Sequence, residues 1–176
     1  MVYVLLVDGF EETEAIEPID ILRRGGVEVK TVGVYGKYVT GAHKIKIEAD
    51  IAIDEAKDDI ELLMLPGGPG HGLIEESDKA MKMIASAYEN NIKIAAICAA
   101  PSIIGKLGIL DGRKATCFPG FENFLNGADV TGNKVENDGG IITAKGAGAA
   151  AEFGFEMLKE LKGADTAAKI KDGMQF

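Results

Sequence analysis

The 176-residue sequence predicts an α/β fold in which a mostly parallel sheet is covered by helices on both faces. Three observations predict it. Apolar runs of strand length recur at residues 2–7, 60–65 and 93–97, the first of them continuous, as a strand buried on both sides requires. Segments of helical period lie between such runs, and turns rich in glycine and proline separate the two kinds of segment. The length fits one domain, residues 1–176, since about 100 to 200 residues is the usual span. No repeat, low-complexity tract or long linker interrupts it.

Residues 2–7 form the first expected strand. Residues 11–24 follow as a helix with Ala15, Ile19 and Leu22 on one face; Gly25-Gly26 ends it, and Pro18 should kink or restrict it locally. A second strand at 27–34 leads into a polar excursion at 35–46 containing Gly36, Gly41 and His43. The third strand is 60–65, and residues 79–88 repeat the helical period with Ala80, Met83, Ile84 and Ala87. The fourth strand is 93–97. Short strands near 114–117, 134–136 and 140–143 precede a helix at 149–161 striped by Phe153, Met157, Leu158 and Leu161.

Composition excludes several classes. Acidic residues number 28 against 19 basic, a formal charge of -9, which argues against nucleic acid or an anionic membrane surface as partner. No apolar stretch approaches the ~20 residues of a membrane span. Met1-Val2-Tyr3-Val4 lacks the basic start and cleavage site of a signal peptide, so the expected location is the cytoplasm. Two cysteines, Cys98 and Cys117, are too few for a disulfide framework, and His43 and His71 lack zinc spacing. Neither a metal nor another cofactor is expected.

Cys98 closes the run Ile94-Ala95-Ala96-Ile97 and stands where a helix should start, the position of a nucleophile elbow. Unpaired N–H groups at a helix start favour a thiolate and would pull its pKa down. The alternative is one more buried small hydrophobe. If the strands at 2, 60 and 93 are parallel, their carboxyl ends share one edge of the sheet, where ligands of open α/β sheets bind. Three turns then converge: Gly9-Phe10-Glu11-Glu12-Thr13-Glu14, Pro66-Gly67-Gly68-Pro69-Gly70-His71 and Cys98-Ala99-Ala100-Pro101. The glycines allow close backbone approach and, with the Ala99 N–H, could hold an oxyanion, although Pro66-Gly67-Gly68 alone reads equally as an ordinary strand-ending turn.

The Glu-Glu-x-Glu opening of the first helix, Leu65-Pro66-Gly67-Gly68, Ala95-Ala96-Ile97-Cys98-Ala99, and Lys145-Gly146-Ala147-Gly148 with Glu152-Phe153 together resemble the DJ-1/ThiJ/PfpI superfamily and its DJ-1-like branch, over nearly the whole chain. The resemblance implies a flavodoxin-like three-layer sandwich and a homodimer. It matches Cys98 to the reactive cysteine, Glu14 to the buried carboxyl beside it, and Gly68 and Ala99 to the backbone oxyanion donors. Two anions side by side are unfavourable, so Glu14 is expected to keep a proton and donate it to a Cys98 thiolate. The competing role for Glu14 is to complement the helix dipole, as Glu11 and Glu12 would.

One departure stands out. Phe118, in Thr116-Cys117-Phe118-Pro119, takes the place of the histidine that many relatives carry, and Ala99 stands where protease-like relatives have histidine, which sets proteolysis aside. His43 or His71 could supply imidazole instead, though a lone loop histidine is more often solvated. The resemblance implies a small carbonyl substrate and cofactor-independent glyoxalase or deglycase chemistry. Two alternatives stay open: a redox sensor or chaperone oxidised at Cys98 under oxidative stress, and the family's older thiazole monophosphate biosynthesis label. Ile16 and Ile21 lie off the core stripe of the first helix, as a helix at an interface would show. The resemblance places the dimer interface there and brings His43 near the partner's cleft; the alternative is a monomer with the helix covered by the 35–46 loop.

Overall fold

The computed structural model describes residues 1–176 and opens with β1 (Val2–Leu6), buried along its length. It is followed by α1 (Glu12–Arg24), β2 (Val29–Gly33), the hairpin strands β3 (Tyr38–Thr40) and β4 (Lys46–Glu48), and β5 (Ile51–Ala52). Next come β6 (Leu62–Leu65), a short α2 (Gly72–Glu75), α3 (Asp78–Glu89), β7 (Lys93–Ile97) and α4 (Pro101–Lys106). The chain closes with β8 (Lys114–Ala115), β9 (Asp129–Val130), β10 (Val135–Asp138), β11 (Ile141–Ala144), α5 (Ala150–Lys162) and α6 (Ala164–Gly173).

Seven strands form the central sheet in the order β10-β11-β7-β6-β1-β2-β5. Every neighbouring pair is parallel except β10 with β11. Side chains alternate across β1, so Val2, Val4 and Leu6 join one core while Tyr3, Leu5 and Val7 join the other. The first core is covered by α1, α5 and α6, with Ala15, Leu22, Phe153 and Leu158 among its members; the second is covered by α3 and α4, with Ile84, Ile103 and Ile104. The result is the expected three-layer α/β sandwich. Each fully buried large aliphatic or aromatic side chain contributes about 1.5–3 kcal/mol.

Helix α1 continues through Pro18, whose missing N–H leaves the Glu14 carbonyl without its helical donor. Helix α5 packs closely against it there, because a Cβ on Gly154 would lie 3.0 Å from Pro18 Cα and 2.8 Å from Ile21 Cδ1. Ile21 is accordingly fully buried within this chain and is no part of a free apolar face; Ile16 alone remains exposed, at 42%. The excursion at 35–46 contains β3 and the start of β4, an antiparallel hairpin in place of an irregular loop. Helix α6, with Ala167 as its one buried residue, extends the fold beyond the last expected helix.

Candidate active site

Strands β1, β6 and β7 are parallel neighbours, so their carboxyl ends bring the three turns to one edge. Backbone hydrogen bonds tie them together. Glu11 N–H donates to the Gly67 carbonyl at 3.0 Å and Gly70 N–H to the Gly9 carbonyl at 3.0 Å. Cys98 N–H donates to the Ala144 carbonyl at 2.9 Å, and the Cys98 carbonyl accepts from Phe118 N–H at 2.8 Å. The cysteine is thus held from both sides.

Cys98 has φ +66°, in the left-handed region. The chain turns sharply on it, and α4 begins only at Pro101, past Ala99 and Ala100, so the helix does not start on the cysteine. Gly67 is the contact surface between the Cys98 and Glu14 side chains. A Cβ there would sit 2.6 Å from Cys98 Cβ, 2.8 Å from Glu14 Oε2 and 2.9 Å from the Ile97 carbonyl. Gly68, with φ +101°, is equally confined: a Cβ would lie 2.5 Å from both Glu11 N and the Gly9 carbonyl oxygen.

Glu14 is 1% exposed. Its Oε2 accepts from Gly67 N–H at 3.0 Å, and the Cys98 side chain and the Ala147 backbone are further hydrogen-bonding neighbours. Burial pushes its pKa up to about 7, the hydrogen bonds offsetting only part of the rise. Burial also pushes the Cys98 thiol up, to about 12; the negative charge of Glu14 and its hydrogen bond act in the same direction, and the Gly68 and Ala99 N–H groups oppose them. This overturns the expected depressed thiol pKa. The sulfur lies partly buried beside a carboxyl, and the helix that would have favoured its anion starts too late. Burial raises both groups, so each holds its proton more tightly than it would in water.

A cleft of about 330 Å³ opens over the sulfur, lined by Glu14, Gly68, His71, Cys98, Ala99 and Phe118 among others. His71, left open by the sequence, is in its wall. The ring Nδ1 lies 3.0 Å from the Gly68 carbonyl, and the ring stands edge-on to Phe121 at 5.4 Å. Phe118, 48% exposed, separates this cleft from a second of about 460 Å³ containing Lys134 and Lys145.

His43 lies elsewhere. Its Nδ1 is 3.0 Å from Glu12 Oε2 and 3.5 Å from Glu11 Oε1, and the Glu12 hydrogen bond followed by the two carboxylate charges raises its pKa. Buried Glu12 also accepts from His43 N–H at 2.8 Å and so anchors the hairpin. Glu11, Glu12 and His43 each bring a ligand atom to within 4.8 Å of the others and are the side chains here that could hold a cation. No helix is long and apolar enough to cross a membrane.

Sequence reasoning missed Gly67 as the spacer between Glu14 and Cys98 and Ala147 as a neighbour of Glu14. The signal for Ala147 was the Gly146-Ala147-Gly148 run, whose small residues let the loop come near: a Cβ on Gly146 would lie 3.2 Å from the Phe118 ring and 3.9 Å from Glu14 Oε1.

The sequence profile of the DJ-1/PfpI family matches residues 1–160. Protein dj-1beta of Drosophila melanogaster is 33% identical over 176 residues, covering 97% of this chain and 94% of that one. A protein named deglycase from Pyrococcus abyssi is 30% identical over 164 residues, covering 92% and 99%. Against DJ-1 homolog B of Arabidopsis thaliana, 32% identical, the chain spans only 40% of the relative's length. The crystal structure of Drosophila DJ-1beta superposes with a TM-score of 0.92 at 31% identity, covering 98% of this chain and 96% of that one. An oxidized DJ-1 from Toxoplasma gondii gives 0.91 at 29%, covering 99% and 97%.

Proposed function

The chain belongs to the DJ-1/PfpI family, and from that premise we propose that it converts small reactive carbonyl compounds without a cofactor, as a glyoxalase or deglycase, through Cys98 and Glu14. The observation that carries this is the meeting, across Gly67, of the buried Glu14 carboxyl, its pKa pushed up by burial, with a cysteine facing the Gly68 and Ala99 N–H groups. The deglycase name of the Pyrococcus relative is in keeping with it.

Methylglyoxal serves as the working substrate. Ionised Glu14 takes the thiol proton as the sulfur bonds to the aldehyde carbon, and the carbonyl π pair moves to oxygen, held by the N–H groups of Gly68 and Ala99. The proton passes from Glu14 to that oxygen and completes a hemithioacetal. Glu14 then removes the hydrogen of the same carbon; the freed pair forms a double bond to the neighbouring carbon, whose own π pair moves to its oxygen. Return of the proton to the neighbouring carbon, with transfer of the hydroxyl proton to the neighbouring oxygen, leaves a 2-hydroxyacyl thioester. One carbon is oxidised and the other reduced, so no external oxidant enters. Water releases lactate and restores the thiol.

The raised thiol pKa suits this order of events, because the nucleophile is made by proton transfer to Glu14 at the moment of attack. The proposal includes a cytoplasmic homodimer in which α1 and the β3–β4 hairpin face the partner.

Lactate production from methylglyoxal by wild type and Cys98→Ser tests the proposal. Turnover that vanishes in the variant supports it. No turnover, with selective dioxidation of Cys98 under peroxide in intact-protein mass spectrometry, refutes it in favour of the sensor.

A further inference from the structure

Resting on the carbonyl reading above, we propose that His71 is the base that takes the proton of the water hydrolysing the Cys98 thioester. Besides the thiol, the cleft is lined by three side chains able to move a proton, Glu11, Glu14 and His71; Glu11 faces His43, its Oε1 3.5 Å from that ring's Nδ1, and the other two are unequal. Glu14 is 1% exposed and enclosed by Gly67, Cys98 and Ala147, so it serves the adduct from within. His71 lines the same cleft from a partly exposed position, where incoming water can meet it.

The ring's protonation pattern is fixed by the backbone. The Gly68 carbonyl lies 3.0 Å from Nδ1 and also accepts the His71 backbone N–H at 3.1 Å. A carbonyl oxygen only accepts, so Nδ1 carries the hydrogen and Nε2 of the neutral ring has the free lone pair. The edge-on contact with Phe121 at 5.4 Å limits rotation of the ring. The same hydrogen bond ties the imidazole to Gly68, whose N–H faces the sulfur, so the base stays in register with the group it must serve. Phe118, on another wall of the cleft, offers no proton-transfer atom.

In the step, Nε2 accepts a proton from water as the water oxygen bonds to the thioester carbon. The π pair moves to oxygen and returns as the C–S bond breaks. The imidazolium proton then goes to the departing sulfur, giving the free acid and the Cys98 thiol.

His71→Asn is the discriminating variant. Its amide nitrogen, attached where Nδ1 is attached, keeps the bond to the Gly68 carbonyl, but no base replaces Nε2. With methylglyoxal at neutral pH, kcat should fall about 100-fold, the scale of general-base assistance. KM should fall with it, leaving kcat/KM within about twofold, because formation of the acyl enzyme is untouched. Intact-protein mass spectrometry should then find the 2-hydroxyacyl group accumulated on Cys98, and added imidazole should restore part of kcat. Unchanged kcat overturns the assignment. So does a fall in kcat/KM without acylated Cys98, which is the signature of a purely structural histidine. Turnover absent from the wild type, or undiminished in Cys98→Ser, overturns the carbonyl reading itself, and the role of His71 with it.

Discussion

Glu14 and Cys98 meet across Gly67, where a single added methyl carbon would lie 2.6 Å from Cys98 Cβ and 2.8 Å from Glu14 Oε2. The side chain hydrogen-bonded to the Cys98 thiol is therefore a carboxyl whose pKa is raised to about 7. Proton transfer from Cys98 needs that carboxyl ionised. We expect kcat/KM for methylglyoxal to rise with pH through about 7, and Glu14→Gln to lower it by 100-fold or more. A pH-independent rate between pH 5 and 8, or an active Glu14→Gln, would exclude this role.

Glu14→Gln should also be more stable than the wild type at high pH. The folded pKa of Glu14 lies above the ordinary 4.5, at about 7. Stability that protonated Glu14 provides is thus full below 4.5 and is lost as the pH rises to about 7. A shift of that size amounts to about 3 kcal/mol. Denaturant unfolding should show the two proteins nearly equal at pH 4 and the variant more stable by up to about 3 kcal/mol at pH 8. Equal stability at both would mean that ionised Glu14 carries no burial cost.

Gly67→Ala should separate the reactive pair without removing either group. The new Cβ must displace Cys98, Glu14 or the Ile97 carbonyl. The expected cost is about 1–3 kcal/mol in stability and loss of carbonyl turnover, read by thermal unfolding and lactate production. Wild-type activity in a folded variant would show that the pair tolerates separation.

The two cysteines should differ by access. Burial raises both thiols, Cys98 to about 12 and Cys117 to about 11. Cys98 opens into a cleft, while Cys117 is 4% exposed within the opposite core. Iodoacetamide at pH 8 should label Cys98 first, and faster still in Glu14→Gln, where the opposing negative charge is gone. Equal labelling rates, seen by peptide mass spectrometry, would contradict this.

Assembly can be decided by sedimentation at micromolar concentration. We expect a dimer of the 18.6 kDa chain, weakened by Ile16→Asp. A single species at the monomer mass would rule it out. If the partner's cleft is reached by His43, His43→Ala should alter the pH profile of Cys98 alkylation.

What could be read from the residues depended on how local the cause was. β7 has the bounds expected for it, Lys93–Ile97, because the four buried apolar residues after Lys93 mark a strand covered on both faces. β5 and β9 have two residues each and carry no periodicity. α6 was hidden because its single buried residue, Ala167, leaves no apolar stripe. In the site, convergence of Glu14, Gly68, Cys98 and Ala99 followed from parallel strands ending on one edge. The direction of the thiol shift did not, since it depends on the depth of the sulfur and its separation from Glu14, which are products of packing. Placement of His71 in the cleft was likewise settled by the turn of residues 68–71, where backbone and ring share one carbonyl.

The left-handed backbone of Cys98, φ +66°, has a consequence for how such a chain would drift under selection for robustness alone. A non-glycine residue there costs about 1–2 kcal/mol, which glycine would recover. The replacement that relieves this backbone cost is therefore one that deletes the sulfur. A library sorted only for heat resistance would therefore be drawn toward losing the sulfur that the proposed reaction needs.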